Sequence, residues 1–355
     1  MNTPDTTNTN KTTTTTNRTD ITAQPHTAAA TMRAVVQERY GSSEMWQLTE
    51  TERPTIGNDE VLVRVHAAGL DRGTWHEMTG LPYLMRLMGF GLRSPKHRVP
   101  GRALSGTVAA VGTNVTRFAV GDEVFGAGVG AFAEYAVAPE AKLAHKPSVL
   151  TYEEAAAIPI SATTALQALR QGRIASGQKV LVIGASGGVG TYAVQIAAAY
   201  GAEVTGVCSA GKADLVRSLG AQHVIDYAAA DATDGSRRYD LIVDIAGNAS
   251  LRRLHRALEP TGSLVIVGGE SKGNVTGGLG RSLRAPLVSL VVRPRLTMLV
   301  SKEHHADLAP LIELIEAGKL SPSIEACVPL GQAREAMRRL EAGTVRGKLC
   351  ISVVE

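Results

Sequence analysis

The sequence predicts an α/β protein in which a doubly wound parallel sheet is accompanied by a partly closed β-barrel. Residues 179–208 have, in order, the patterns of an apolar strand, a glycine-rich turn, a helix and a second strand, which together form a βαβ unit with buried parallel strands. Apolar runs at 223–227, 239–246 and 263–268 extend this sheet to at least five strands. Short strands separated by glycines at turn spacing fill residues 101–126 and indicate the barrel.

The remaining elements follow in order from Met32. Residues 151–170 have a helical pattern that begins with a capping box of Thr151 and Glu154, and Pro159 is expected to kink or break this helix. Further strands are predicted at 33–37, 60–66, 131–137 and 348–354, and further helices at 307–317 and 332–342. The last helices and the last strand are expected to return to the barrel.

The glycine-rich turn is the first candidate binding site. Its glycines allow a sharp turn and a close approach of the backbone to a ligand, and the first turn of the next helix offers unpaired N–H groups and about half a positive charge. A dinucleotide pyrophosphate fits such a corner, although a glycine-rich turn that binds nothing remains an alternative. The candidate cofactor-binding residues of this turn are Gly184, Ser186, Gly187, Gly188, Val189 and Gly190.

The end of the second strand indicates which nicotinamide cofactor is preferred. An acidic side chain at this position would hold the ribose 2′-hydroxyl of NAD, but residues 209–212 contain no carboxylate. Ser209 and Lys212 suit a 2′-phosphate instead, and Tyr227 at the end of the next strand is placed to contact the same group. The sequence therefore predicts NADPH. Lys212 as a solvated surface lysine and Tyr227 as a packing residue are the alternatives.

Composition sets the broad class. The chain has 355 residues, of which 44% are hydrophobic and 20% are charged, which is typical of a soluble protein of two domains. A net charge of +4 requires neither nucleic acid nor an anionic membrane as a partner. Cys208, Cys327 and Cys350 are scattered and form neither a metal-binding spacing nor a disulfide framework, so a reducing cytoplasmic location is expected.

Two segments differ from the rest of the chain. Residues 1–31 are rich in Thr and Asn and have too few apolar residues to fold, so they are predicted to be a disordered tail. Residues 278–302 mix aliphatic residues with arginines and a lysine. The favoured interpretation of this segment is a wall of the substrate pocket with a dimer-edge strand, and a membrane-surface helix is the alternative.

Five motifs resemble those of the medium-chain dehydrogenase/reductase superfamily, in particular its zinc-free quinone oxidoreductase branch. They are GDEVFG (121–126), AAAIPISATTALQAL (155–169), VLVIGASGGVG (180–190), GAQHVIDY (220–227) and RGKLCIS (346–352). The resemblance implies a GroES-like β-barrel catalytic domain, residues 32–158 and 303–355, a Rossmann NADP-binding domain, residues 159–302, and a homodimer. It also implies that Thr164, Gly268 and Arg346 take part in cofactor binding.

The resemblance bears on metal binding as well. In the zinc alcohol dehydrogenases of this superfamily a Cys, a His and a second Cys hold the metal. Matching the corresponding segments puts Asp71, Arg102 and either Ile160 or Ser161 at these positions. An arginine cannot bind zinc, so no metal site is expected.

Without a metal, the expected activity is hydride transfer from NADPH to a quinone or a similar electrophilic carbonyl compound. The resemblance makes Tyr83 the candidate proton donor, because related enoyl reductases place a tyrosine just after a glycine that matches Gly80. Asp71 is the second candidate catalytic residue and would orient the nicotinamide ribose or shape the pocket. Alternatives are an NADPH-dependent enoyl or alkenal reductase, an alcohol dehydrogenase-like protein, and a non-enzymatic NADPH-binding structural or regulatory protein.

Overall fold

The computed structural model describes residues 1, 30–268, 273–277 and 279–354. The predicted disordered tail lies almost wholly outside the described residues. Among the helices of the described residues, none is both long enough and apolar enough to cross a membrane.

Strands and helices alternate regularly only in the middle of the described chain, from β8 to β13, where each helix but one follows a single strand. The strands are β1 (Thr31–Val36), β2 (Gln47–Glu52), β3 (Glu60–Leu70), β4 (Ala103–Val111), β5 (Glu123–Ala127), β6 (Tyr135–Pro139), β7 (Leu143–His145), β8 (Lys179–Ile183), β9 (Glu203–Cys208), β10 (His223–Asp226), β11 (Tyr239–Asp244), β12 (Leu258–Ile266), β13 (Arg295–Met298), β14 (Ile324–Pro329) and β15 (Lys348–Ser352). The α-helices are α1 (Arg72–Thr79), α2 (Tyr83–Met85), α3 (Tyr152–Ala157), α4 (Ser161–Gln171), α5 (Gly188–Ala199), α6 (Ala213–Ser218), α7 (Leu251–Arg256), α8 (Leu279–Val288), α9 (His305–Glu316) and α10 (Ala333–Glu341).

The larger sheet is mixed and has the strand order β14-β15-β3-β4-β5-β7, with β6 also paired to β3. β14 and β15 are parallel, and the other neighbours are antiparallel. Among the described strands, β14 and β7 at the two ends of this order do not pair with each other, so closure of the predicted barrel is not shown. The sequence pattern predicts which face of a strand is buried, but it does not determine which end strands meet.

The second sheet is the predicted parallel one. It has six strands in the order β10-β9-β8-β11-β12-β13, one more than the minimum expected from the apolar runs. Val180, Leu181 and Val182 of the central strand β8 are fully buried, as a parallel sheet covered on both faces requires. The chain runs from β8 to β9 on one side and returns to β11 on the other, so the reversal of strand order lies beside β8.

Two helices connect the sheets. The predicted helix at 151–170 is divided into α3 and α4, with Pro159 between them, and the predicted capping box is confirmed at Thr151. One apolar cluster extends from Phe125 of the mixed sheet through Leu166 of α4 to Val180 of the parallel sheet. β15 pairs with β3, so the end of the chain returns to the mixed sheet as predicted. These contacts bring the C-terminal segment close to the glycine-rich turn.

Candidate functional site

The glycine-rich turn lies between β8 and α5, at the carboxyl edge of the parallel sheet. Gly184 has a φ of +88°, a backbone conformation that residues with side chains adopt only with strain. Gly187 is the N-cap of α5 and makes no side-chain hydrogen bond to the helix. The first N–H groups of α5 are therefore not capped by the side chain that usually occupies this position.

Two glycines of this turn have different roles. A Cβ atom on Gly190 would lie 2.0 Å from the carbonyl oxygen of Gly184, so this glycine is needed for the turn to pack against the helix. A Cβ atom on Gly187 would lie 3.6 Å from the carbonyl oxygen of Gly184, an ordinary van der Waals contact, so a side chain here would not clash with the protein. The residues present thus fit a pyrophosphate, because an anion can approach the N–H groups at the start of α5 without displacing protein atoms.

The C-terminal segment lies directly against this turn. The N–H of Gly347 donates a hydrogen bond to the carbonyl oxygen of Ser186 at 2.8 Å. Lys348 is 2% exposed, and its ammonium group donates to the carbonyl oxygen of Leu70 at 2.8 Å and to Ser161 Oγ at 3.1 Å. Burial lowers the pKa of Lys348, and the nearby Asp71 opposes this effect. One buried cation therefore links the end of β3, just before α1, to the start of α4.

The predicted 2′-phosphate residues gather at the ends of β9 and β10. Ser209 follows β9, and the N–H of Tyr227 donates to the carbonyl oxygen of Cys208 at 3.2 Å. Lys212 donates from Nζ to the carbonyl oxygens of Gly343 and Val345, at 2.9 Å and 2.8 Å. Burial lowers the pKa of Lys212. Its ammonium group is directed at the C-terminal segment, a contact that sequence reasoning did not foresee.

Arg346 lies at the same corner as Lys212. Its Nη2 is 2.7 Å from Asp214 Oδ2, and its Nη1 donates to the carbonyl oxygen of Gly211 at 3.3 Å. Asp226, at the end of β10, accepts a hydrogen bond from the N–H of Ala228 at 3.0 Å. A third carboxylate, Glu325, accepts a hydrogen bond from the N–H of Arg346 and is paired with Arg339. The carboxylates near this corner thus have partners, which limits their repulsion of an anion.

Asp71 and Thr164 lie at the starts of two different helices, α1 and α4. Asp71 is the N-cap of α1, and its Oδ1 accepts from the N–H of Thr74 at 3.0 Å. Its Oδ2 is buried, with no hydrogen-bond partner in the part of the chain that the structure describes. The Thr164 hydroxyl donates to the carbonyl oxygen of Ile160 at 2.7 Å and lies 3.3 Å from Ser301 Oγ.

Tyr83 and Gly268 belong to other parts of the fold. The N–H of Tyr83 donates to the carbonyl oxygen of Asn274 at 2.8 Å, so α2 is tied to the loop after β12. The Arg86 guanidinium lies 4.7 Å from the centre of the Tyr83 ring. The carbonyl oxygen of Gly268 accepts from Arg281 Nη2 at 3.1 Å, just beyond the carboxyl end of β12.

Sequence reasoning missed a charged group made up of Glu77, Arg102, Lys142 and Glu303, which we call the Arg102 cluster. Arg102 Nη2 donates to Glu303 Oε1 at 2.5 Å, and Arg102 Nε is 3.9 Å from Glu77 Oε1. Lys142 Nζ is 3.3 Å from Glu303 Oε2. Burial raises the pKa of Glu77 to about 7, an effect that Arg102 opposes and that Asp71 and Glu303 increase.

Arg102 was the one feature of the sequence that could have indicated this cluster. An arginine in a cleft, at a position where related enzymes hold a metal, needs carboxylate partners to offset its charge. Glu303 is 201 residues away along the chain, so no local pattern could identify it. Within the described residues, no group of three or more His, Cys, Asp or Glu side chains is arranged to hold a metal ion.

Comparison with known proteins matches both parts of the chain. Residues 57–148 match the family described as alcohol dehydrogenase GroES-like domain, and residues 219–351 match the family described as zinc-binding dehydrogenase. The mitochondrial NAD(P)H oxidoreductase RTN4IP1 of Bos taurus is 33% identical over 362 residues, which cover 91% of this chain and 89% of that protein. The 2-methylene-furan-3-one reductase of Solanum lycopersicum is 30% identical, over 90% of this chain and 79% of that protein. The solved structure of the quinone oxidoreductase from Coxiella burnetii has a TM-score of 0.81 at 27% identity, over 92% of this chain and all of that one.

These relatives also correct the expected location. The expectation of a cytoplasmic protein is wrong, because relatives of this group are named as mitochondrial or chloroplastic proteins. Scattered unpaired cysteines argue against an oxidising compartment. They do not single out the cytosol among the compartments that remain.

Proposed function

Since the chain belongs to the medium-chain dehydrogenase/reductase superfamily, in its zinc-free quinone oxidoreductase-like branch, we propose that it is an NADPH-dependent oxidoreductase that transfers hydride to a quinone or a similar electrophilic carbonyl acceptor. In this proposal residues 32–158 and 303–355 form the GroES-like catalytic domain, and residues 159–302 form the cofactor-binding domain. The acceptor is a small molecule, and the protein acts as a homodimer.

The observation that carries the proposal is the uncapped start of helix α5 at Gly187. A helix start without a capping side chain, with no protein atom within 3.6 Å of where a Cβ would stand, suits the pyrophosphate of a dinucleotide. Gly347, which donates to Ser186, holds the C-terminal segment beside the same corner. A bound coenzyme would therefore be enclosed from two directions.

The preference for NADPH rests on charge at the ends of β9 and β10. Ser209, Lys212, Tyr227 and Arg346 lie around this corner, and the carboxylate of Asp214 is engaged by Arg346. A 2′-phosphate there would meet two cations and a hydroxyl, whereas the unphosphorylated ribose of NADH would meet no carboxylate among residues 209–212.

The nicotinamide half of the coenzyme would lie towards Asp71, Thr164 and Gly268. When bound, the reduced nicotinamide supplies a hydride, and the chain must hold the acceptor carbon within about 3 to 3.5 Å of it. The Asp71 carboxylate, whose Oδ2 is buried and has no hydrogen-bond partner among the described residues, would shape the pocket around the nicotinamide ribose. Tyr83 remains the predicted proton donor, on a turn that contacts the loop after β12.

A second candidate function is reduction of α,β-unsaturated carbonyl compounds. The relative from Solanum lycopersicum named 2-methylene-furan-3-one reductase favours it. Both functions use the same coenzyme site, and they differ in the position on the acceptor that receives the hydride. A protein that binds NADPH without turnover is the non-enzymatic alternative.

A single assay separates these candidates. The purified full-length chain is mixed with NADPH and, in parallel, with NADH, and nicotinamide absorbance is followed with a panel of quinones and a panel of enones. Faster oxidation of NADPH with quinones is the expected result. Oxidation with enones alone would favour the second candidate, and binding without oxidation by any acceptor would contradict the proposed activity.

A further inference from the structure

The Arg102 cluster borders the region proposed for the nicotinamide. Glu303 comes two residues after Ser301, whose hydroxyl lies 3.3 Å from that of Thr164. Glu77 is on α1, the helix that Asp71 caps, and the two carboxyl groups are close enough for Asp71 to raise the pKa of Glu77. The cluster is therefore connected to two of the residues proposed to position the coenzyme.

Arg102 is oriented by its carboxylate partners. Its Nη2 is held by Glu303, its Nε faces Glu77, and 31% of its side chain remains exposed. A guanidinium carries five N–H donors in a planar fork, and these two contacts use only part of it. A donor fixed in this way stabilises negative charge that develops on an oxygen atom during a reaction, because it need not reorient.

We propose that Arg102 and Glu77 receive the oxygen of the carbonyl acceptor, Arg102 by hydrogen bonding to it and Glu77 by donating a proton to it. The inference rests on the proposed function and deepens it. It assigns the role of proton donor to a carboxyl group on α1 instead of to Tyr83, and it gives Arg102 the oxygen-stabilising role that a metal ion has in the zinc enzymes of the superfamily.

The step balances in atoms and electrons. The C–H bond at C4 of the dihydronicotinamide breaks, and its electron pair forms a C–H bond to the conjugated carbon of the acceptor. The electrons of the C=C bond shift, and the carbonyl oxygen becomes an enolate oxygen. Glu77 transfers its proton to this oxygen, and the enol tautomerises to a ketone or, from a quinone, to a hydroquinone. Water can then return a proton to Glu77, because 27% of its side chain is exposed.

The surroundings of Glu77 suit this role. The charged and titratable groups that face it are Arg102 and Glu303 in the cluster, Asp71 before α1, and Tyr40. Burial raises the pKa of Glu77 to about 7, so the carboxyl group keeps its proton in a substantial fraction of molecules at neutral pH. Because the acid must be protonated to act, turnover is expected to fall as the pH rises through this value.

The test compares Glu77→Gln with wild type, using the acceptor that wild type reduces fastest. The expected result is a kcat lower by about 100-fold or more, with unchanged NADPH affinity by fluorescence titration. The decline of kcat above pH 7 that is expected for wild type should be absent from the variant, and Glu77→Asp should recover part of the rate. Glu44→Gln, which removes an exposed carboxylate paired with Arg338, is the matched control and should behave as wild type.

The outcomes separate this inference from the proposed function. If wild type oxidises NADPH but Glu77→Gln keeps its kcat and its pH profile, the inference is wrong and the proposed function stands. A loss of kcat in Tyr83→Phe, without a loss in Glu77→Gln, would overturn it in favour of the tyrosine. If none of the acceptors tested supports oxidation of NADPH by wild type, the proposed function fails and the inference fails with it.

Discussion

Lys212 is the residue on which the predicted preference for NADPH depends most. Its ammonium group lies at the end of β9 and donates to two carbonyl oxygens of the C-terminal segment. A 2′-phosphate would add a charged partner, and a charge-assisted hydrogen bond contributes about 1.5 to 3 kcal/mol. Lys212→Ala should weaken NADPH binding by that amount and leave NADH binding nearly unchanged, as measured by fluorescence titration with each coenzyme.

The NADH measurement distinguishes two roles of this lysine. An equal loss of affinity for both coenzymes would mean that Lys212 acts by holding residues 343–345 in place and not by binding the phosphate. Lys179→Ala, which removes a lysine with an exposed side chain at the start of β8, is the control for a general change in charge. It should alter neither affinity.

The residue types and their positions along the chain made one part of the candidate site predictable from sequence, and left the Arg102 cluster out. Ser209 and Lys212 follow the second strand of the βαβ unit and Tyr227 follows the next strand, so their placement at the ends of β9 and β10 follows from local sequence. Glu77 and Glu303 could not be found in this way. Glu303 meets Arg102 only after the chain has passed through the parallel sheet, and Glu77 meets it across the irregular segment between α1 and β4. Neither contact leaves a periodic signal in the sequence.

At the scale of an element, the turn between β8 and α5 provides a matched pair of substitutions. Gly187→Ala adds a methyl group that clashes with no protein atom but occupies the position where the pyrophosphate is proposed to bind. Coenzyme affinity should therefore fall by about 10-fold or more, with little change in stability. Gly190→Ala brings a methyl group within 2.0 Å of a carbonyl oxygen, so it should lower the free energy of unfolding by about 1 to 3 kcal/mol. Coenzyme titration and urea unfolding measure the two effects.

The pair is informative because each variant controls for the other. Both substitutions add one methyl group to the same turn, and only the one at Gly187 leaves protein packing unchanged. If Gly187→Ala binds NADPH as tightly as wild type, the proposed position of the pyrophosphate is wrong. Equal losses of stability in both variants would show that the turn cannot accept a side chain at either position.

Several elements were predictable because their signals are local. The capping box at Thr151 and the break at Pro159 each depend on residues within one turn of chain. The strand β13 is only four residues long and follows an arginine-rich stretch, so the apolar runs alone did not count it in the sheet. Barrel closure depends on pairing between strands from opposite ends of the chain, and alternation of apolar residues carries no information on it.

At the scale of the whole molecule, the candidate site is built by residues from distant parts of the chain. Lys348, near the C-terminus, donates to the carbonyl oxygen of Leu70 and to Ser161. Arg102 and Glu303 make a second link between segments far apart in sequence. The surroundings of the glycine-rich turn and the Arg102 cluster therefore both depend on contacts between distant segments, and a short fragment of the chain would not reproduce them.

The proposed homodimer predicts a role for the far edge of the parallel sheet. β13 ends the strand order on this side, so among the described strands only β12 pairs with it. Leu290 and Val291, just before β13, are 82% and 84% exposed. An exposed edge strand beside apolar side chains suits pairing with the same edge of a second copy about a twofold axis. We expect sedimentation equilibrium to give a dimer for wild type and a monomer for a variant with Leu290→Asp and Val291→Asp.

Val149→Asp supplies the matched control, because it places the same charge at a valine that is 64% exposed and lies in the mixed-sheet half of the chain. This variant should remain a dimer. Both variants should bind NADPH as wild type does, since residues 290 and 291 lie outside the glycine-rich turn and the corner at β9 and β10. A monomeric wild type would contradict the dimer.

Vesicle sedimentation tests the membrane-surface interpretation of residues 278–302. If wild type sedimented with vesicles that contain anionic lipid, and the Leu290→Asp, Val291→Asp variant did not, this interpretation would replace the dimer interface. Apolar side chains flanked by arginines suit a membrane surface as well as a protein interface.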